Sequence, residues 1–454
     1  MKQKKIVAKS LAVSLAVATA LSGCSGSSTK GTPLNKNLAA GVATPENWDS
    51  SWNGEMGKLP VSEQEQVSAV SAAANEFNRK LFFEILKEKQ KEEGANTFVS
   101  GYSAFAALAT LGCGMEDGSE AETELMKTLG LEDYSLDEIA AMTARTGKAL
   151  ESYPGNKLTV SDSLWISESL PVSDRFKTVY APRLNMLDAQ VFVTDFASQE
   201  NVDAVNKWVS EATGKMISKM KEEPTPDVIA EIYNAIYFDG KWKKEFDEDD
   251  TDRQTFHGSA GESMVDMMHM GGTFSYRSDE LYDQLRLEYQ NDEFQMNVYL
   301  PKDESKTMEQ LMTDGSLSEE QIAWIFGTGE LPNDIGLRDY DVTLSMPKFT
   351  IEDKLLLNQP VQMCGAEKIF DNAEMSALTD DLIYVGKIMQ KTKVEVDEKG
   401  TKAAATTQVT MFRNMAVMIP EHAEFNMNHP FFFTISNSET GAVLFAGSIN
   451  NLPQ

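Results

Sequence analysis

The sequence predicts an α+β domain with large β-sheets, and three observations lead there. Apolar residues recur at helical spacing through much of the first half of the chain, whereas strand-like alternation dominates from Phe274 onward. The two kinds of segment do not alternate in the strand–helix rhythm of a parallel α/β fold. A body of roughly 390 residues is long for one domain, yet no Gly/Pro/Ser-rich linker and no internal repeat divides it.

The chain opens on an address rather than on structure. Lys2, Lys4, Lys5 and Lys9 form a positive region, followed by an apolar core at 11–21 that is too short to span a membrane as a stable helix. Leu21-Ser22-Gly23-Cys24 resembles the bacterial lipobox, in which the cysteine becomes the lipidated first residue of the mature protein; an ordinary secreted protein cleaved nearby is the alternative. Residues 1–23 are therefore expected to be a lipoprotein signal peptide. Several acyl chains on Cys24 would hold the protein at the extracytoplasmic side of a bacterial membrane. Residues 24–61, rich in Ser, Gly, Asn and Thr and without a regular period, read as a flexible tether in which Trp48 and Trp52 are candidates for docking. No later apolar run reaches the length of a membrane span.

The body, 62–454, begins with helical spacing over 67–89, carried by Phe77, Leu81, Phe82, Ile85 and Leu86. Residues 97–111 read as a second helix, made of small residues, and 121–129 as a third. Residues 158–167 alternate as a strand, 174–180 and 201–220 return to helical spacing, and 229–238 form a long apolar stretch. Strand-like segments follow at 274–300, 341–351, 431–437 and 442–449.

Lys and Arg number 41 against 70 Asp and Glu; without the four signal lysines the balance is 37 against 70, or −33. Such acidity argues against nucleic acid and against polybasic membrane contact. Beyond Cys24 only Cys113 and Cys364 remain, both in apolar surroundings, and buried free thiols are expected over one disulfide. An enzyme is not expected. The four histidines, His257, His269, His422 and His429, belong to no H-E-x-x-H, and there is no C-x-x-C or G-x-S-x-G. His269, among the methionines of 264–270, reads as strand packing rather than as a metal site. No cofactor and no metal is expected.

The stretch around which the body is organised is 394–414, VEVDEKGTKAAATTQVTMFRN. Val394 and Val396 alternate with Glu395 and Asp397 as a half-buried strand does. Gly400 and a run of small residues follow: Thr401, Ala403, Ala404, Ala405, Thr406 and Thr407. Read alone, such a run is a flexible exposed loop. Extended, it puts Thr401, Ala403, Ala405, Thr407 and Val409 on one face, and Lys402, Ala404, Thr406, Gln408 and Thr410 on the other. None is Pro, and the first face carries no charge, so the loop can become a strand without burying one.

Several motifs, taken in order, make the body resemble the serpin family. Asn96-Thr97-Phe98-Val99-Ser100, with Ser103 and Leu108, is similar to the helix that opens the family's shutter region. Asn234-Ala235-Ile236-Tyr237-Phe238-Asp239-Gly240-Lys241-Trp242 resembles its Asn-Ala-Ile/Leu-Tyr-Phe-Lys-Gly-x-Trp signature, and Leu344-Ser345-Met346-Pro347-Lys348-Phe349 its Leu-Pro-Lys-Phe strand. His429-Pro430-Phe431-Phe432-Phe433 and residues 441–447 resemble its closing strands, and 394–407 its reactive-loop hinge. Two departures stand out: Gly101 replaces the usual Pro after the first shutter Ser, and Gln390 the usual His in the strand ahead of the hinge.

The resemblance implies a fold of about three β-sheets with helices packed around them and an exposed, insertable reactive loop at about 398–420. It implies a suicide-type serine protease inhibitor: the loop is cleaved to an acyl-enzyme and then inserts as an extra strand in the main sheet, trapping the protease. From Glu398 to Asn414 the sixteen residue steps span about 50 Å extended, close to the roughly 55 Å breadth of such a domain. The hinge is Glu398, Gly400, Thr401, Ala403, Ala404, Ala405 and Thr407. The shutter and breach residues are Ser100, Ser103, Asn234, Gln390 and Trp242. Counting along the hinge puts the attacked carbonyl at Asn414; a shift of one residue gives Arg413, which suits a trypsin-like pocket. Met415 or Met411 would suit elastase-like or subtilisin-like enzymes. A papain-like cysteine protease is a further target class, and a monomer is expected. The alternatives are a non-inhibitory serpin acting as a surface binding module and an adhesin borrowing the fold.

Overall fold

The computed structural model describes residues 34–89, 94–151, 156–290, 292–330, 336–401 and 421–453. The first helix, α1 (Val61–Lys89), buries Val67, Val70, Ala74, Phe77, Leu81 and Ile85 as one stripe spaced three and four apart. Residues 97–111, expected as one helix, divide in two. Thr97, Phe98 and Val99 pair with Ser448, Gly447 and Ala446 as strand β1 (Thr97–Val99). Ser100 then caps α2 (Gly101–Gly112), its hydroxyl accepting from the Ser103 N–H at 3.2 Å. Every residue of α2 is buried, so its small side chains mark a helix enclosed by the protein.

Helix α3 (Glu120–Leu129) starts on the capping hydroxyl of Ser119 and stops at Gly130, which takes a left-handed φ of +69°. Helix α4 (Leu136–Glu151) has no counterpart among the expected elements. Its buried stripe includes Ala140, Thr143, Thr146 and Ala149 beside Ile139 and Met142, and that composition masks the period. After β2 (Asn156–Ser167), the segment expected to be helical at 174–180 is a single π-helical turn over Phe176–Tyr180 that runs into α5 (Ala181–Met186). Strand β3 (Gln190–Thr194) precedes α6 (Gln199–Ala212). Helical spacing predicts α6 as far as residue 220, but Gly214 and Lys215 adopt φ of +58° and +72° and end it.

The apolar run becomes β4 (Ala230–Lys241). There follow β5 (Asp252–Gly258), β6 (Gly261–Ser278), β7 (Tyr282–Glu288) and β8 (Phe294–Pro301), then the short helices α7 (Met308–Thr313) and α8 (Glu319–Ile325), each opened by a capping box. The chain continues through β9 (Arg338–Pro347), β10 (Phe349–Leu356), α9 (Asn358–Cys364), β11 (Lys387–Val396), β12 (Gly400–Thr401), β13 (His422–Asn426), β14 (Phe431–Asn437) and β15 (Val443–Ile449). Residues 274–300 thus hold several strands and 341–351 two.

The fold is α+β, as predicted. Among the described residues the strands form two hydrogen-bonded sheets. The smaller runs β10-β11-β4-β2-β3, with β12 also on β4; the larger runs β1-β15-β14-β8-β7-β6-β9-β13, with β5 on β6. Of the three sheets expected, two are continuous here because the long β6 pairs with β5 and β9 along one part and with β7 at its end. Between the sheets lies an aromatic layer in which Phe349 stands 5.6 Å from Phe433, and Phe98 stacks 5.2 Å from Phe445.

Residues 34–60, expected to be tether, are docked on the body. Asn35 N and Leu38 N donate to the Val193 and Val191 carbonyls at 2.7 and 2.8 Å, extending the free edge of β3. Ala39, Met56 and Leu59 are buried, and the Arg145 guanidinium lies 5.5 Å from the Trp48 ring. An edge strand offers unpaired backbone groups, and a polar composition does not prevent a segment from satisfying them. From Leu34 onward the chain belongs to one compact unit.

Candidate functional site

Strands β11 and β4 lie side by side and parallel, 387–393 against 231–237. Beyond Lys393 and Tyr237 their pairing stops. The chain leaves β11, reverses across 397–400 and returns as β12, antiparallel to β4, with Gly400 opposite Lys241 and Thr401 opposite Gly240. Because β2 occupies the other edge of β4, β12 stands in the fork between β4 and β11.

The turn depends on particular residues. Gly400 has φ +137°, and a Cβ there would lie 2.2 Å from the Gly240 carbonyl oxygen, so only glycine fits. Trp242 closes over the turn: its backbone N–H donates to the Lys399 carbonyl and its indole N–H to that of Asp397, each at 3.0 Å. Its ring stacks on Tyr289, with centroids 4.6 Å apart. The Glu398 carboxylate receives Lys348 Nζ at 2.5 Å and the Thr251 hydroxyl at 2.9 Å. Burial alone would push this carboxyl up, but the Lys348 and Thr251 contacts hold it below the usual carboxylate range. Thr401 is 1% exposed, and its hydroxyl lies 3.0 Å from the buried Tyr289 phenol. The segment expected to be exposed from residue 398 is therefore enclosed at its start, with Glu398, Gly400 and Thr401 all buried.

Lower in the same sheet, four polar residues picked out in the sequence come together. Gln390 on β11 accepts from Ser100 N at 3.0 Å and donates to the Ser100 carbonyl and the Asn234 Oδ1, both at 2.8 Å. Asn234 on β4 donates to the Ser103 hydroxyl at 2.5 Å, and the Ser100 hydroxyl donates to the Leu444 carbonyl at 2.6 Å. Both groups of the Gln390 amide are used, as donor and as acceptor. The cluster ties β4 to β11 and both to the N-terminal turn of α2.

Sequence reasoning missed one member. Asp162 on β2 accepts from Asn234 Nδ2 at 2.6 Å, and burial pushes its carboxyl up to about 7. Its place beside Asn234 comes from strand pairing, which no local pattern announces. Tyr289 and Thr251 were missed for the same reason. Lys348 stood inside a recognised strand motif, but nothing nearby in sequence marked it as the partner of Glu398.

Ala403, Ala404, Ala405, Thr407, Arg413, Asn414, Met415 and Cys24 lie outside the described residues. Cys113 is buried and Cys364 half-buried; both thiols are free, and burial pushes each up to about 12. His269 contacts Asp252 and Ser345, each at 3.0 Å, on a strand whose Met267 and Met268 are fully buried.

The chain is similar to known proteins over most of its length. The family profile described as Serpin (serine protease inhibitor) matches residues 72–452. Iripin-2 of Ixodes ricinus is 31% identical over 86% of this chain and 95% of its own length. Among solved structures, the thermophilic serpin Tengpin in the native state superposes with a TM-score of 0.71 at 22% identity, covering 92% of this chain and 99% of that one. Human thyroxine-binding globulin complexed with thyroxine gives the same TM-score at 22% identity, over 86% of this chain and 100% of its own.

Proposed function

The chain belongs to the serpin family, and from that premise we propose that it is an inhibitory member, a trap for serine proteases rather than an enzyme. One observation carries the reading: β12 already stands, antiparallel, in the fork of a parallel strand pair. A strand continuing from it would be antiparallel to both neighbours and would meet backbone partners on both sides.

Extending the observed register, Thr401 opposite Gly240, one residue at a time sets Ala403, Ala405, Thr407 and Val409 opposite Phe238, Ile236, Asn234 and Ile232. Asn234 faces α2 in this row, so the small residues face the interior. Lys402 would lie opposite Asp239, on the face that carries Tyr233 and Ala235, which pack with Val205 and Val209 of α6. Thr407 would displace the Gln390 amide from Asn234, so advance of the loop requires the polar cluster to open. Met411 would reach Ala230, where β4 begins, which leaves Arg413 or Asn414 just past the far end of the sheet. About a dozen new ladder bonds at about 1 kcal/mol each give roughly 10 kcal/mol, comparable to the whole stability of an ordinary domain. The uncut protein is then a kinetic trap.

Serpins generally target serine proteases; Arg413 directs this one toward trypsin-like enzymes, and the flanking methionines toward elastase- or subtilisin-like ones. The signal and Cys24 support a mature protein held by lipid on the outer side of a bacterial membrane; substitution Cys24→Ala should abolish incorporation of labelled palmitate. Incubating the mature chain with representatives of the three protease groups tests the inhibitory reading. A protease–protein complex that survives a denaturing gel is expected, and the mass of the released C-terminal peptide identifies the bond. Complete cleavage without such a complex would leave a non-inhibitory binding module.

A further inference from the structure

Where α1 packs on the start of α2, Asn78 and Gly101 meet. A Cβ on Gly101 would fall 2.2 Å from Asn78 Oδ1 and 2.3 Å from its Cβ and Cγ, so no larger residue fits there beside Asn78. One departure from the family motif is thereby explained: the glycine after Ser100 is what admits an amide on α1. So close an approach also leaves no room for a water between the two.

Asn78 is 0% exposed, and neither Oδ1 nor Nδ2 has a hydrogen-bond partner among the described residues. A buried amide with both groups unpaired is costly and rare in a native structure. Asn75, one turn earlier on α1, shows the usual outcome. Its amide donates to the Gly327 and Gly441 carbonyls at 3.1 and 2.8 Å and accepts from Val443 N at 2.8 Å.

The residue next to Gly101 is the one that the main sheet holds. Ser100 N donates to Gln390 Oε1, and the Ser100 carbonyl accepts from Gln390 Nε2 and from Ala104 N. A strand entering between β4 and β11 carries Gln390 away with β11. The Ser100 carbonyl then keeps Ala104, but the Ser100 N–H loses its acceptor. An amide oxygen without a donor thus lies one residue from an N–H that insertion sets free.

We propose that Asn78 is a partner held in reserve for α2: unpaired while the sheet is closed, it takes the Ser100 N–H over from Gln390 as the sheet opens. The uncut protein carries a cost at Asn78 that the inserted form recovers. The purpose of this exchange rests on the inhibitory reading, but the exchange itself can be measured without cleavage.

Thermal unfolding of uncut and loop-cleaved protein tests the proposal with Asn78→Leu, which is close to asparagine in shape. The uncut variant should melt about 2 °C or more above the wild type, since an unpaired amide is gone. The cut variant should melt no higher than the cut wild type, and the yield of gel-stable complex should fall about threefold or more. Ser71→Ala, which removes an unpartnered buried hydroxyl elsewhere on α1, should raise both forms alike. An uncut Asn78→Leu protein that melts below the wild type would overturn the proposal, and so would an equal rise in both forms. A double-mutant cycle on uncut protein is the second check. Gln390→Met should lower Tm by about 2 °C more in the Asn78→Leu background than in the wild type, and equal losses would overturn the exchange. A wild type that gains no heat resistance on cutting would instead remove the insertion reading, with the cycle still deciding the role of Asn78.

Discussion

The hydroxyl of Thr401 and the phenol of Tyr289 lie 3.0 Å apart, both buried, at the mouth of the fork between β4 and β11. The first inward-facing residue of the hinge is thus seated before any cleavage. Tyr289 is in turn held by the Trp242 ring stacked on it. Serpin chemistry in this chain would start from a strand already begun.

Thr401→Arg should unseat it, because an unpaired guanidinium cannot be buried against Tyr289 without a cost of several kcal/mol. Amide hydrogen exchange at 398–401 should rise at least tenfold, and protease should cleave the loop while forming less than a tenth of the gel-stable complex. Persistence of the complex at wild-type yield would count against insertion. Tyr289→Phe should have a smaller effect in the same direction, about 1 kcal/mol, by leaving one hydroxyl unpaired.

Gly400→Ala meets two obstacles, the +137° φ and a Cβ 2.2 Å from the Gly240 carbonyl. Strain of this kind costs about 1–3 kcal/mol. The turn should relax by releasing β12, seen as loss of protection at Thr401 together with a lower Tm. An unchanged exchange pattern would mean that the turn does not need a glycine.

Asp162 sets a pH dependence. Its carboxyl is pushed up to about 7 in the folded protein and titrates near 3.9 unfolded. Between those values the folded state binds the extra proton, so stability falls as pH rises through the window and stays low above it. Asp162→Asn keeps an acceptor for Asn234 and removes the titration. Its Tm should exceed that of the wild type at pH 8 and match it near pH 4. Parallel Tm–pH curves for the two proteins would exclude Asp162 as a contributor.

A chain beginning at Val61 loses the segment that covers the edge of β3, along with the buried Ala39, Met56 and Leu59. Burying a side chain the size of Met56 or Leu59 contributes about 1.5–3 kcal/mol. The shortened protein should melt several degrees lower and, with the β3 edge bare, self-associate at high concentration. Equal melting of the two chains would reduce the docking to a contact without energetic weight.

The elements that sequence periodicity located well were those whose partners do not alter their period: the stripe of α1, and the strands at 431–437 and 442–449, buried throughout. Where an element's surroundings replaced apolar residues by Ala and Thr, as in α4, the period vanished. Where a strand ran directly into a helix cap, as at Val99 and Ser100, the two were read as one. Ser100, Ser103, Asn234 and Gln390 could be grouped beforehand because they stood in motifs resembling a known family; their hydrogen bonds could not.

By itself the sequence determined that 401–409 can alternate small residues on one face without burying a charge, since period 2 is a property of the chain alone. It also determined the family and the α+β class. Only the tertiary structure decided that Thr401 is already paired with β4, that Glu398 is anchored by Lys348 and Thr251, that Asp162 sits under Asn234, and that 34–60 lie on the body. Those partners are far apart along the chain, and their meeting depends on which strands become neighbours, a choice made by the packing of the whole sheet rather than by any local stretch of residues.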